Sequence, residues 1–163
     1  MRKLALNLVI LLSLVIMQSC CSFQGSHDLG NNFTLLEGDK LEDRIIVFCS
    51  PKKQGCCKGG SYVIPTHESH YDKNGRYAEY VETAEFNDRW IIVKSIALKN
   101  KEEKYWIIDK NFELEERFKN WTMDKVISDK FKKFIQSKIL GPLNFTSFDD
   151  KTKELEIDLK FEG

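Results

Sequence analysis

Hydrophobic and polar positions change their period along this chain. Between residues 33 and 109 the apolar runs "FTLLE", "RIIVFC", "SYVIP", "RYAEYVETAEF", "RWIIVKSIAL" and "KYWIID" are rich in Ile, Val, Tyr, Phe and Trp. Turn signals such as "GDKLED", "PKKQG", "DKNG", "ND" and "KNKEE" separate them. The connections are too short for crossover helices, so the runs predict an antiparallel meander. "RWIIVKSIAL" and "KYWIID" are almost continuously apolar, as central strands are, and "KNKEE" joins them as a hairpin. The period then lengthens. Val126, Ile127, Phe131, Phe134, Ile135 and Ile139 fall at helical spacing behind Thr122, a good N-cap, and predict an amphipathic helix over residues 123–140. "GPL" breaks it. "TSFDDKTKEL" predicts a short helix with Ser147 as cap and Asp150 three residues on. In "LEIDLKF" the side chains of Leu155, Ile157, Leu159 and Phe161 alternate with polar ones, which predicts a half-buried strand. The expected class is α+β: one antiparallel meander sheet of about five to seven strands, with the C-terminal amphipathic helix packed on one face. Trp90, Ile92, Ile107, Phe131, Phe134 and Ile135 are its expected core.

The N-terminus follows a different pattern. Arg2 and Lys3 precede an apolar stretch from Leu4 to Met17 of about 14 residues, short of the ~20 a helix needs to cross a bilayer. "VIMQSC" then has the form of a bacterial lipobox, with Ser19 before Cys20 and Met17 three positions before it. Cys21 fits less well, because polar Gln18 would take that position. Residues 1–19 are therefore expected to be a lipoprotein signal peptide and Cys20 the lipid-attachment residue. Each buried methylene of an acyl chain contributes ~0.8 kcal/mol, and two chains anchor stably. "SFQGSHDLGNN" is rich in Gly, Ser and Asn, so residues 20–32 read as the lipidated Cys and a flexible tether, with one domain over residues 33–163.

Composition narrows the choice of partner. Lys and Arg number 25 and Asp and Glu 25, and losing Arg2 and Lys3 with the leader leaves a slight acidic excess. That balance argues against nucleic acid, which requires a basic stripe. The Asn-x-Thr triplets at Asn32, Asn120 and Asn144 carry no meaning in a bacterial lipoprotein.

"FNDRWIIVKS", "KYWIIDK" and "GPLNFTSFDDKTKELEI" resemble the small bacterial lipoprotein family known as domain of unknown function 3997, over residues 86–157. The shared words are the aromatic-Ile-Ile-x-Lys strand, the Tyr-Trp-Ile-Ile-Asp strand and Gly-Pro-Leu before an acidic helix. The resemblance implies a lipoprotein with an α+β domain. It implies no activity.

Candidate chemistry concentrates in "CSPKKQGCCKGGSYVIPTHESH". Cys49, Cys56 and Cys57 with His67 and His70 are enough ligands for zinc, but their spacing matches no established zinc motif, so no metal is expected. In an oxidising compartment thiols pair, and Cys49 is expected to bond Cys56 or Cys57, leaving both histidines on surface loops. Lys94 interrupts an apolar strand on the face of Trp90, Ile92 and Ile96, so Lys94 and Trp90 form a candidate contact for a carboxylate or sugar. The alternative is a lysine that lays its stem on apolar neighbours and holds its amine in water. No nucleophile elbow, phosphate-cradling glycine motif or Cys-His pairing is present, so no enzyme activity and no cofactor are expected. The reading is a binding or structural module of the bacterial cell envelope, lipid-anchored to the membrane, with an envelope protein as its partner. The alternatives are an immunity-type inhibitor and a small envelope hydrolase using His67 or His70 as base.

Overall fold

The computed structural model describes residues 25–49, 57, 60–118 and 125–161. Residues 1–24, with Cys20, lie outside this range, as do Cys56 and Thr122. The class is α+β. Among the described residues eight strands form two antiparallel sheets of four, in place of the single sheet expected. The first runs in the order β1 (Ser26–Gly30), β2 (Phe33–Leu36), β3 (Ile45–Cys49), β4 (Gly60–Ile64). After a short helix α1 (His67–His70), the second runs β5 (Glu79–Phe86), β6 (Trp90–Ala97), β7 (Glu102–Asp109), then α2 (Lys125–Gln136) and β8 (Ile139–Leu143). Helix α3 (Phe145–Glu154) follows, and the chain continues as an extended tail through Phe161.

Each sheet is a meander, and their inner faces share one core. Phe33, Leu35, Ile46, Phe48, Val63 and Ile64 come from the first sheet, and Val81, Ile91, Val93 and Ile108 from the second. Phe118, Phe131 and Ile135 complete it. Helix α2 presents Phe131 and Ile135 to this core, with Ile127 and Phe134 half-buried beside them, so the helical spacing located the buried stripe. The outer face of the second sheet buries Trp90, Ile92, Tyr105 and Ile107 beneath α3 and the tail, through Phe148, Leu155, Ile157, Leu159 and Phe161. On the outer face of the first sheet Ile45, Val47 and Cys49 pack with Leu36, Tyr62 and Cys57.

Four sequence expectations are corrected. Ser26–Gly30, placed in the tether, is strand β1, and its turn is docked onto the second sheet: Asn31 Nδ2 donates to the Lys110 carbonyl at 2.7 Å, and buried Lys110 Nζ donates to the Leu29 carbonyl at 2.7 Å. "SHDLG" has one inward residue, Leu29, too weak a pattern for period two to register. Ile139 and Leu140, read as the end of the helix, belong to β8, where Leu140 pairs with Ile107 and Gly141 takes φ +136°. A Cβ there would stand 2.8 Å from Trp106 and from the Tyr105 carbonyl, so only glycine lets β8 approach. The α3 cap is Asn144, whose Oδ1 accepts from the Ser147 amide at 2.8 Å, in place of Ser147. The "LEIDLKF" alternation does bury Ile157 and half-bury Leu155, Leu159 and Phe161, but β8 already pairs the β7 edge, so the tail is not a strand.

Candidate functional site

Helix α1 starts where β4 ends, with the Thr66 hydroxyl accepting from the Ser69 amide at 3.3 Å as its cap. Both histidines were expected on surface loops. Instead His70 is buried in this helix, and its Nδ1 lies 2.7 Å from the Glu79 carbonyl. A carbonyl only accepts, so Nδ1 carries the proton. Burial holds the imidazole below the usual histidine range, against the pull of the Glu79 carbonyl and Asp43. Tyr62, Tyr71 and Tyr77 surround the ring, and the Tyr77 hydroxyl donates a short hydrogen bond to Asp43 that pushes its own pKa up to about 12.

His67 has a different setting. It lines a cleft of about 630 Å³ together with Gly60, Ser61 and Tyr62 of β4 and Ser128, Lys132 and Gln136 of α2. Its ring packs on Tyr62 and Tyr71, with centroids 5.3 and 5.4 Å away, and among the described residues it makes no hydrogen bond to a serine. Burial, then the neighbouring Tyr71, pushes the Tyr62 phenol above its usual range. Glu68, at the same end of the cleft, is held below the usual carboxylate range by its own backbone amide, then by Thr66, His67 and Lys132.

Three consecutive strand residues bordering one cavity is informative. Successive side chains on a strand point to opposite faces. Ser61 pairs with Phe48 on the core side, and Tyr62 with Val47 on the outer side. A cavity that touches both therefore runs along the strand's edge. β4 is the last strand of its sheet among the described residues, and no described strand pairs that edge. Across the gap Ser128, Lys132 and Gln136 follow one another at helical spacing on a single stripe of α2.

The cysteines contribute a crosslink. Cys49 and Cys57 form a disulfide with Cα atoms 5.4 Å apart, joining the end of β3 to the approach to β4. Among the described residues no group of His, Cys, Asp or Glu is placed to hold a metal ion.

Lys94 and Trp90 are not brought into one pocket. Four residues apart on β6, they are separated by ~13 Å. Lys94 Nζ pairs with Glu82 at 2.7 Å and Glu103 at 2.8 Å. Burial opposes its charge, but these two carboxylates outweigh that and hold the ammonium above the usual lysine range. Trp90 is buried under the Arg89 guanidinium, 4.4 Å from its ring centroid. A second hollow of about 580 Å³ lies between α3 and the tail, floored by Ile92, Phe148 and Ile157.

The β4-edge cleft was missed because it joins elements 60 to 136 in the sequence. Its one sequence signal was the polar stripe Ser128, Lys132 and Gln136 beside the apolar one in the α2 segment.

No family model, curated protein or solved structure matches this chain. Among the described residues no helix is long and apolar enough to cross a membrane.

Proposed function

We propose that the chain is a lipid-anchored binding module of the bacterial cell envelope, tethered through Cys20 and acting by contact with an envelope protein. The reading of a small lipoprotein similar to domain of unknown function 3997 rests on the sequence words of residues 86–157 and on "VIMQSC". The observation that carries the binding role is the cleft between β4 and α2, which offers hydrogen-bonding groups and, among the described residues, no base set against a nucleophile. A hydrolase would require such a pair. His70 is committed to the Glu79 carbonyl, and His67 packs on tyrosines. The proposal is that the protein is not an enzyme and uses no cofactor.

Metabolic labelling with a palmitate analogue tests the anchor. The wild type is expected to take up label and sediment with membranes, and Cys20→Ala to do neither. Equal labelling of both would end the lipoprotein reading. Turnover of a peptidoglycan or ester substrate, lost on His67→Ala, would end the binding reading.

A further inference from the structure

We propose that the cleft between β4 and α2 takes a neutral, hydroxyl-rich ligand, a short saccharide. The inference rests on the binding reading for the role of this cleft, and goes beyond the protein contact in naming a glycan as what the cleft holds. Two independent features lead to it: a buried hydroxyl without a partner, and a lining whose fixed charges cancel.

The first is Ser61. The residue is only 8% exposed, yet it lines the cleft. Among the described residues its hydroxyl makes no hydrogen bond, although a hydroxyl can both donate and accept. A buried polar group without a partner is costly in the free protein, and it regains its bond when a ligand brings one. Across the cleft Ser128 and Gln136 stand about two turns apart on α2, and their side chains also make no hydrogen bond among the described residues. They add a second hydroxyl and a carboxamide, each able to donate and to accept. The two walls therefore ask for a ligand that carries both kinds of group on opposite edges.

The second is the balance of the lining. Lys132 and Glu68 are its fixed charges, one of each sign, so an ion attracted by one is repelled by the other. A neutral ligand meets no such conflict. The apolar share is small, the half-buried ring of Tyr62 and the buried Ile135. A purely apolar ligand would leave Ser61, Ser128 and Gln136 unpaired, which a site made of hydrogen-bonding groups penalises. A sugar ring meets both demands: its hydroxyls donate and accept around the edge, and its C–H face packs on an aromatic ring such as Tyr62. The volume of about 630 Å³ is that of a small-ligand site, which limits the saccharide to a short one.

The test uses the full lipidated chain in a detergent without a sugar headgroup, titrated by calorimetry with the neutral disaccharides N,N′-diacetylchitobiose, cellobiose and maltose. At least one is expected to bind with a millimolar or tighter constant, and to change less than about two-fold between low and high salt, since no net charge is involved. Amide exchange should slow in β4 and α2 on binding and remain unchanged in α3. Ser61→Ala is expected to weaken binding about ten-fold while the urea midpoint holds or rises, because the free protein loses only an unpaired hydroxyl. Gln136→Ala, at an exposed position on the far wall, should weaken binding by a smaller factor and leave the fold intact. Several results would overturn the proposal: no binding of any of these sugars at tens of millimolar, undiminished binding by Ser61→Ala, tighter binding of the charged sugars glucuronate or glucosamine, or protection that appears at the α3 hollow instead. Equal binding of an end-blocked Ser-Gly dipeptide would also overturn it and assign the cleft to protein. A failed sugar titration with a labelled, membrane-bound Cys20 leaves the anchored module standing without this site. Sugar binding by an unlabelled protein leaves the site standing without the anchor.

Discussion

In the second sheet β5, β6 and β7 are eight residues long, and the outer face of β6 and β7 is buried under α3 and the tail; in the first no strand exceeds five, and among the described residues its outer face holds a small cluster beside a disulfide. Both are four-stranded antiparallel meanders. The difference is in what supplies the second layer. Over the second sheet α3 and the tail stack aromatic rings, Phe148 on Tyr105 at 5.1 Å and on Phe161 at 5.6 Å. Over the first, Cys49, Val47 and Ile45 meet Cys57, Tyr62 and Leu36. On that face a crosslink that restricts the unfolded chain adds to the apolar cluster.

The largest effect should come from stripping the second sheet of its outer layer. Phe148→Ala removes a nearly buried ring from the aromatic stack and is expected to cost about 3–5 kcal/mol, read from urea unfolding. If the two sheets depend on separate cover, amide exchange should accelerate in β6 and β7 before β2 and β3. Uniform acceleration would mean that the shared core couples them fully.

Removing the crosslink is next. Cys49 and Cys57 are eight positions apart, and opening so small a loop is expected to cost about 2–3 kcal/mol. The double variant Cys49→Ala, Cys57→Ala avoids leaving a lone thiol. Its exchange should quicken in β3 and β4 and change little in β5–β8. A loss smaller than that of an ordinary surface substitution would show that the apolar cluster alone holds this face.

A smaller effect should follow from Asn144→Ala. It removes the side-chain acceptor of the Ser147 amide at 2.8 Å and is expected to cost about 1 kcal/mol. The loss should be confined to α3 and the tail. Asn144→Asp should restore most of it, since it retains an acceptor at the helix N-terminus.

These contrasts also explain what could be read from the chain beforehand. The strands of the second sheet were legible because "RWIIVKSIAL" and "KYWIID" are buried on both faces, and α2 was legible because Phe131 and Ile135 recur at helical spacing. β1 was not, since its stability comes from elsewhere: Lys110 and Asn31 reach across about eighty residues to hold its turn. β8 was hidden by Ile139, which extends the helical period by chance of position. Lys94 stood out in an apolar strand as a candidate contact, but its setting depended on Glu103, which the hairpin register brings close by pairing Lys94 with Tyr105. The cleft depended on which strand ended the sheet, a property of topology that local periodicity does not carry.

The smallest effect expected is a pH dependence at the junction between the sheets. His70 links α1 to β5 through the Glu79 carbonyl, and Ala78 donates back to the His70 carbonyl at 2.8 Å. The ring faces Asp43 and Tyr77 on one side and His67, Tyr62 and Tyr71 on the others, while the Glu79 carboxylate is turned away to Ser95 at 2.7 Å and Lys104 at 2.5 Å. Burial lowers the folded-state pKa below its value in the unfolded chain, so on acidification the unfolded state takes the proton first. Stability from the neutral ring is therefore complete above the unfolded value of about 6.5 and declines as pH falls toward the folded one. Asp43 and Glu103, both held below the usual carboxylate range, lose their share only at lower pH, which separates the windows. Urea midpoints for the wild type should fall between pH 7 and pH 5, with exchange at Ala78 quickening in step. His70→Gln should start less stable and show a flatter profile over that interval. An unchanged slope would show that the effect does not come from His70 and that the junction between the two sheets does not titrate.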